Sequence, residues 1–329
     1  MITMEWPAWS CTVGVTTLRA ADLTAVVGVV REVMGEVGRA ADRFRPDSDL
    51  SRINSASGRS VGVTALTLDL LELAIATAVR TSGAVTPTTG ADLIAVGYDA
   101  TIEIVRSREV DRDAGDGSFC PAPGVGAANR ALSLVRGGTK RTVRRRVPPP
   151  AAEAIHLDRP GGRVSLTPGT RLDLGAIAKA YAVDEALRRV AARGLGGALV
   201  SIGGDLAVHG SPDDGWLIAV SETGDDEAVY ITIDSGAVTT SSTMGRRWGA
   251  NHHIIDPRTG RSSTGDWRTA TVLAPTAVEA NVFSTWALVD PGGAAAAMRE
   301  AARPARVVTT AGLIETIGAW PAADKETIC

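Results

Sequence analysis

The stretch Asp173-Leu174-Gly175-Ala176-Ile177-Ala178-Lys179-Ala180-Tyr181-Ala182-Val183-Asp184 decides how this chain is read. Asp-Leu-Gly stands ahead of a run with Ile177, Ala180, Val183, Leu187 and Val190 in helical register, which predicts a helix closed at Gly194. Gly175 leaves room for a ligand against the backbone, and a helix start favours phosphate. Lys179, two turns in, can reach the same anion. An ordinary capped helix with a surface lysine satisfies the same residues, so the stretch takes its meaning from its neighbours.

Towards the N-terminus, residues 9–18 alternate as a strand does. Asp22 then stands where an N-cap belongs, and Val26, Val30, Val33 and Val37 follow at helical spacing, ending near Asp42. The segment from Phe44 to Asn54 is polar and contains Pro46, so it reads as a loop. A second helix is predicted over 64–81, with Leu68, Leu71, Ile75 and Val79 on one face and Gly83 closing it. Residues 100–150 are rich in Gly, Pro and Arg and read as an inserted, partly disordered loop. Its basic run from Arg141 to Arg146 is read as a solvated loop in preference to a partner contact.

Towards the C-terminus, Ala198–Ile202 reads as a buried strand and Gly203-Gly204-Asp205 as a tight turn. Trp216–Val220 and Tyr230–Ile233 read as antiparallel strands. A strand at 270–274 leads through Pro275 into a helix near 277–289, and Arg306–Thr310 reads as a last strand. Hairpins mixed with scattered helices predict an α+β fold, with mixed or antiparallel sheets flanked by helices. The expectation is a single domain over 1–329 that carries the 100–150 insertion.

Composition removes several classes of function. A net charge of −3 and a 4% aromatic content argue against nucleic acid as a partner. No run of roughly 18 apolar residues exists to span a membrane. The start, MITMEWPAWSC, has neither a basic nor an apolar leader region, so the expected location is the cytoplasm. Cys11, Cys120 and Cys329 have neither metal spacing nor an even disulfide framework.

Three further segments carry chemistry. Thr239–Thr243 is a row of hydroxyls after a strand, able to bond phosphate and equally at home at a plain strand end. His252-His253-Ile254-Ile255-Asp256-Pro257-Arg258-Thr259-Gly260 offers His253 as a general base, or as a packing residue. Glu279–Thr285 begins a helix, and Asn281 and Thr285, four apart, share one of its faces.

In their order along the chain these segments resemble the FAD:protein FMN transferases, the ApbE family. The resemblance runs from about Trp9 to the C-terminus, leaving out 100–150. It rests on Ser48–Asn54, Pro87–Gly90, Asp173–Asp184, Ser201–Asp205, Thr240–Ser242, His253–Gly260 and Ala280–Thr285. It implies an α+β fold that binds FAD with Mg²⁺, and transfer of FMN to a Ser or Thr hydroxyl of an acceptor protein with release of AMP. By resemblance Asp173 and Lys179 contact FAD, Gly90 and Ala91 lie along the nucleotide, and Ile254 lies near it. Trp9 falls where the family often places a Met against the flavin. The Ala176 carbonyl, Asn281 and Thr285 would hold the metal, and His253 would take the acceptor's proton.

One departure stands out. Asn281 occupies the position of the family's metal-binding Asp, and an amide brings no charge to a cation normally held by carboxylates and phosphate oxygens. A flavin-nucleotide-binding protein without transfer, or a pyrophosphatase releasing FMN and AMP, are the alternatives that this departure keeps open.

Overall fold

Strand formation follows the burial alternation of the sequence. In Ala198–Ile202 the first, third and fifth residues are buried, and Cys11–Thr17 buries Val13, Val15 and Thr17 against the same core. A computed structural model of the chain describes residues 1–115, 150–222 and 228–322. Its central sheet has eight strands: β1 (Ile2–Ala8), β2 (Cys11–Thr17), β3 (Ala198–Ile202), β4 (Asp205–His209), β5 (Gly236–Ser242), β6 (Trp267–Ala274), β7 (Ala305–Thr309) and β8 (Ile314–Ile317). They lie side by side in chain order, and every neighbouring pair is antiparallel. Residues 18–197 are therefore one long excursion between two adjacent strands. Trp216–Val220 and Val229–Ile233 form a separate antiparallel pair.

Three helices pack on the sheet and on one another: α1 (Leu23–Ala41), α2 (Ala178–Ala192) and α3 (Ala277–Val289). The valine stripe of α1 is buried as its spacing demands, and β-branched residues are tolerated there because packing overrides their weak helix preference. Helix α3 is apolar nearly all round and is buried from Ala280 to Val289. Its first turn is held by the Asp184 carboxylate, which accepts from the amides of Ala277 (2.7 Å) and Val278 (2.9 Å). The last residue of the deciding stretch is thus the joint between α2 and α3.

Several expectations need correction. The strand placed at 9–18 begins at Cys11, because Trp9 and Ser10 adopt positive φ (52° and 57°) in the turn from β1. Asp22 stands at the N-cap position, but its carboxylate bonds Arg19 and the Gly196 amide instead of the helix. The segment read as a loop contains a helix, Asp49–Ser55, capped by the Ser48 hydroxyl. On Ala65–Arg80 the buried stripe runs through Leu68, Leu71, Ala74 and Ala78, while Val79 is exposed. Small alanines continue the stripe, and a hydrophobicity pattern undervalues them. The 100–150 segment opens with a helix, Ile102–Gly115, whose Ile102 and Val105 pack with Leu93, Tyr98 and Trp248. The Arg141–Arg146 run lies outside the described residues. A helix at Pro291–Glu300 and strand β8 were not expected. No helix among the described residues is long and apolar enough to cross a membrane.

Candidate active site

A cleft of about 660 Å³ opens among the β1–β2 turn, the start of α2, the β3–β4 turn, the 245–255 segment and α3. That volume lies within the usual range for ligand pockets. The deciding stretch enters the cleft through a turn. Helix α2 starts at Ala178, later than expected, its first bond running from the Tyr181 amide to the Ile177 carbonyl (2.9 Å). Gly175 and Ala176 therefore stand ahead of the helix, and Lys179 lies in its first turn instead of two turns in.

The approach to this turn is clamped from behind. Asn54 donates to the Leu172 carbonyl (2.9 Å) and accepts from the Leu172 amide (2.7 Å), while the Asp173 amide donates to the Pro87 carbonyl (2.8 Å). Asp173 is then held on both oxygens, by Arg43 (2.6 Å) and by the Gly175 amide (2.8 Å). Arg43 lies over Phe44 and Tyr98, 4.1 and 4.7 Å from their ring centroids, and donates to the Tyr98 carbonyl. The short helix after Ser48 thus serves the site through Asn54. Its Asp49 binds the start of the next helix, accepting from the Thr64 amide (2.7 Å) and the hydroxyls of Thr64 and Thr67.

On the opposite wall the β3–β4 turn brings in Asp205, which is 1% exposed. Gly203 makes this close approach possible: it has φ +63°, and an added Cβ would stand 3.2 Å from the Cys11 Cβ. Asp205 accepts from Lys179 Nζ (2.7 Å) and from Asn281 Nδ2 (2.6 Å). Asn281 is 6% exposed, and its Oδ1 has no hydrogen-bond partner. One turn on, Thr285 Oγ1 lies 3.1 Å from Ser241 Oγ, which bonds Ser284 Oγ (2.8 Å). The hydroxyl row of β5 therefore serves the floor of the cleft.

His253 lines the cleft, and its Nδ1 is buried without a partner. Burial, with Arg246 and Lys179 nearby, pushes its imidazole down to about 3, so the ring is neutral at physiological pH. His252 is anchored through Nε2 to the Ser263 carbonyl (3.0 Å), and burial lowers its pKa also. Arg246 donates to the Trp9 carbonyl (3.1 Å), tying the β1–β2 turn to the opposite wall. Arg43, Lys179 and Arg246 give the cleft three cationic side chains on three separate elements.

Trp9, Asp173, Ala176, Lys179, His253, Ile254, Asn281 and Thr285 are all brought together on this cleft. Gly90 and Ala91 are not: Thr86, Thr89 and Leu93 supply that part of the wall. Gly90 lies behind it, where an added Cβ would come 2.7 Å from the Leu172 carbonyl. Arg43, Asn54, Asp205 and Arg246 escaped assignment. Asp205 had a signal, since it ends the Gly-Gly-Asp motif. The two arginines had none, in a chain where arginine is the common cation.

The model of the ApbE family matches residues 9–308. The FAD:protein FMN transferase of Escherichia coli (strain K12) is 30% identical over 131 residues, which cover 37% of each chain, so little over a third of that relative's length is matched. The FAD:protein FMN transferase of Vibrio cholerae is 27% identical over 282 residues, covering 82% of this chain and 74% of its own. The crystal structure of the ApbE protein of Thermotoga maritima superposes with a TM-score of 0.74 at 25% identity, covering 96% of both chains. The V. cholerae flavin transferase ApbE does so at 0.72 and 22%, covering 97% of both, which speaks for the fold. With 300 consecutive residues matched by the family model, the chain belongs to the ApbE family.

Proposed function

We propose that this protein transfers FMN from FAD to a Ser or Thr hydroxyl of an acceptor protein and releases AMP. The observation that carries the reading is the meeting, in one cleft, of a neutral histidine, three cations on separate elements and an unpartnered buried amide oxygen. The names of the relatives support it. Arg43, Lys179 and Arg246 suit the pyrophosphate, and Trp9 offers a ring to the flavin. The acceptor oxygen bonds to the FMN phosphorus, the bond from that phosphorus to the bridging oxygen breaks, and AMP leaves with the bridging oxygen. His253, already neutral, takes the hydroxyl proton.

The residues fit a divalent cation with oxygen ligands. Asn281 Oδ1 is buried and unpartnered, the Thr285 hydroxyl shares its face, and the Ala176 carbonyl stands outside the hydrogen bonds of α2. Bound there, Mg²⁺ would supply charge stabilisation to the phosphates. The test is mass spectrometry of a candidate acceptor co-expressed with this protein. Added FMN on a Ser or Thr supports the proposal, and its loss with His253→Ala assigns the base. AMP formed without acceptor labelling would favour the pyrophosphatase reading.

A further inference from the structure

Asp205, buried behind the cleft wall, forms a closed charge unit with Lys179 and Asn281, which line the cleft. Both carboxylate oxygens are engaged, one by an ammonium at 2.7 Å and the other by an amide NH₂ at 2.6 Å. The charges of Lys179 and Asp205 cancel, and the amide adds none. The unit leaves one amide oxygen, buried and without a partner, on a residue that lines the cleft. The other carboxylates of the cleft are occupied too. Asp173 is held by Arg43, Glu222 by Arg268, and Asp42 accepts from the Phe44 amide. Arg246 adds positive charge to the same space.

A small hard dication sheds its water reluctantly and is normally drawn by one or two carboxylates plus substrate phosphates. Asn281 offers it an oxygen, but the carboxylate beside that residue, Asp205, is already ion-paired with Lys179. A dinucleotide, in contrast, is attracted by Arg246, whose guanidinium bonds the Trp9 carbonyl and no carboxylate among the described residues, and it brings phosphate oxygens to the place where charge is missing. We infer that the divalent cation loads only after, and because of, the dinucleotide, with Asp205 as the positioning residue that turns the Asn281 amide oxygen towards the cleft. The inference rests on the transferase reading and deepens it: the order of binding is built into a neutral position 281. Thermodynamic coupling is reciprocal, so the cation must tighten FAD by the same factor as FAD tightens the cation.

The test uses the full chain and Mn²⁺, followed by loss of its free electron-spin-resonance signal, with FAD and Mn²⁺ without protein as control. Expected is no Mn²⁺ binding by the protein alone at concentrations that saturate it with FAD present, a gap of at least about tenfold. FAD affinity, read from flavin fluorescence, should rise by a matching factor when Mn²⁺ is added. Two variants move the charge. Asn281→Asp restores a carboxylate, and Lys179→Gln releases an oxygen of Asp205. Each should let Mn²⁺ bind without FAD and raise Tm when it does, and the second remains decisive if the first folds poorly. Equal Mn²⁺ affinity with and without FAD overturns the inference while leaving the transferase reading intact. So does failure of both folded variants to bind Mn²⁺ alone. Absence of FAD binding under all conditions overturns the transferase reading and the inference together.

Discussion

Replacing His253 by Gln tests the state of the imidazole on which the proposed chemistry depends. Burial, aided by Arg246 and Lys179, takes its pKa from 6.5 down to about 3. At pH 6 the protonated fraction is then on the order of one in a thousand, so protonation of this ring does not limit the base form in the assay range. kcat/KM, which reports the free enzyme, should therefore show no acid limb near 6.5 from this residue. Linkage gives a second readout. Between the folded value of about 3 and the unfolded value of 6.5, the unfolded chain binds a proton that the folded chain does not. Stability must therefore rise with pH across that window, by up to about 1.4 kcal/mol per pH unit from this group. Its contribution is fully present above the unfolded pKa and is lost as the pH falls towards the folded one. The assay is urea unfolding of both proteins at pH 4.5, 5.5 and 6.5, together with the kcat/KM profile of the natural protein. His253→Gln should flatten the stability slope by about that amount and slow transfer by roughly 10²–10⁴-fold. Parallel stability curves for the two proteins, or an acid limb near 6.5 that His253→Gln removes, would refute the reasoning.

Lys179→Ala should weaken FAD several-fold and leave riboflavin nearly untouched, as read by fluorescence titration, because Nζ, held by Asp205 in the first turn of α2, is placed for an anion that riboflavin lacks. Asn54→Ala removes both bonds to Leu172, so a loss of about 1–3 kcal/mol in urea unfolding and weaker FAD binding are expected together; a stability loss with unchanged FAD affinity would separate Asn54 from the site. At Asp49, burial is the largest influence and raises the pKa, but the bonds from Thr64, Thr67 and Arg52 outweigh it and hold the carboxyl below its ordinary 3.8. Its stabilisation is therefore present above that unfolded value and lost as the pH falls through the lower folded one. Asp49→Asn should lower Tm at pH 7 and lose less than the natural protein on acidification below pH 4.

The sequence by itself determined what depends on neighbours along the chain. The valine stripe of α1 follows a helical period, α3 is a largely apolar run after Pro275 and β3 a short apolar stretch before two glycines, and each element formed where these local signals placed it. The site motifs were legible for a related reason: glycines at close approaches, a histidine beside an apolar pair and a row of hydroxyls, which lies within β5 and not after a strand, are unusual enough to stand out of a line of residues. Tertiary structure alone decided the partners. Asn281 and Asp205 lie 76 positions apart, and nothing local to either says that the amide nitrogen will face the carboxylate and leave the oxygen without a partner. Arg43 and Asp173 are joined only because α1 ends beside the turn before α2, and Asn54 reaches Leu172 across 118 positions. Hydrogen bonds and ion pairs act over about 3 Å of space and are indifferent to separation along the chain. A period in sequence fixes which way a side chain faces; what it meets there depends on the packing of the whole.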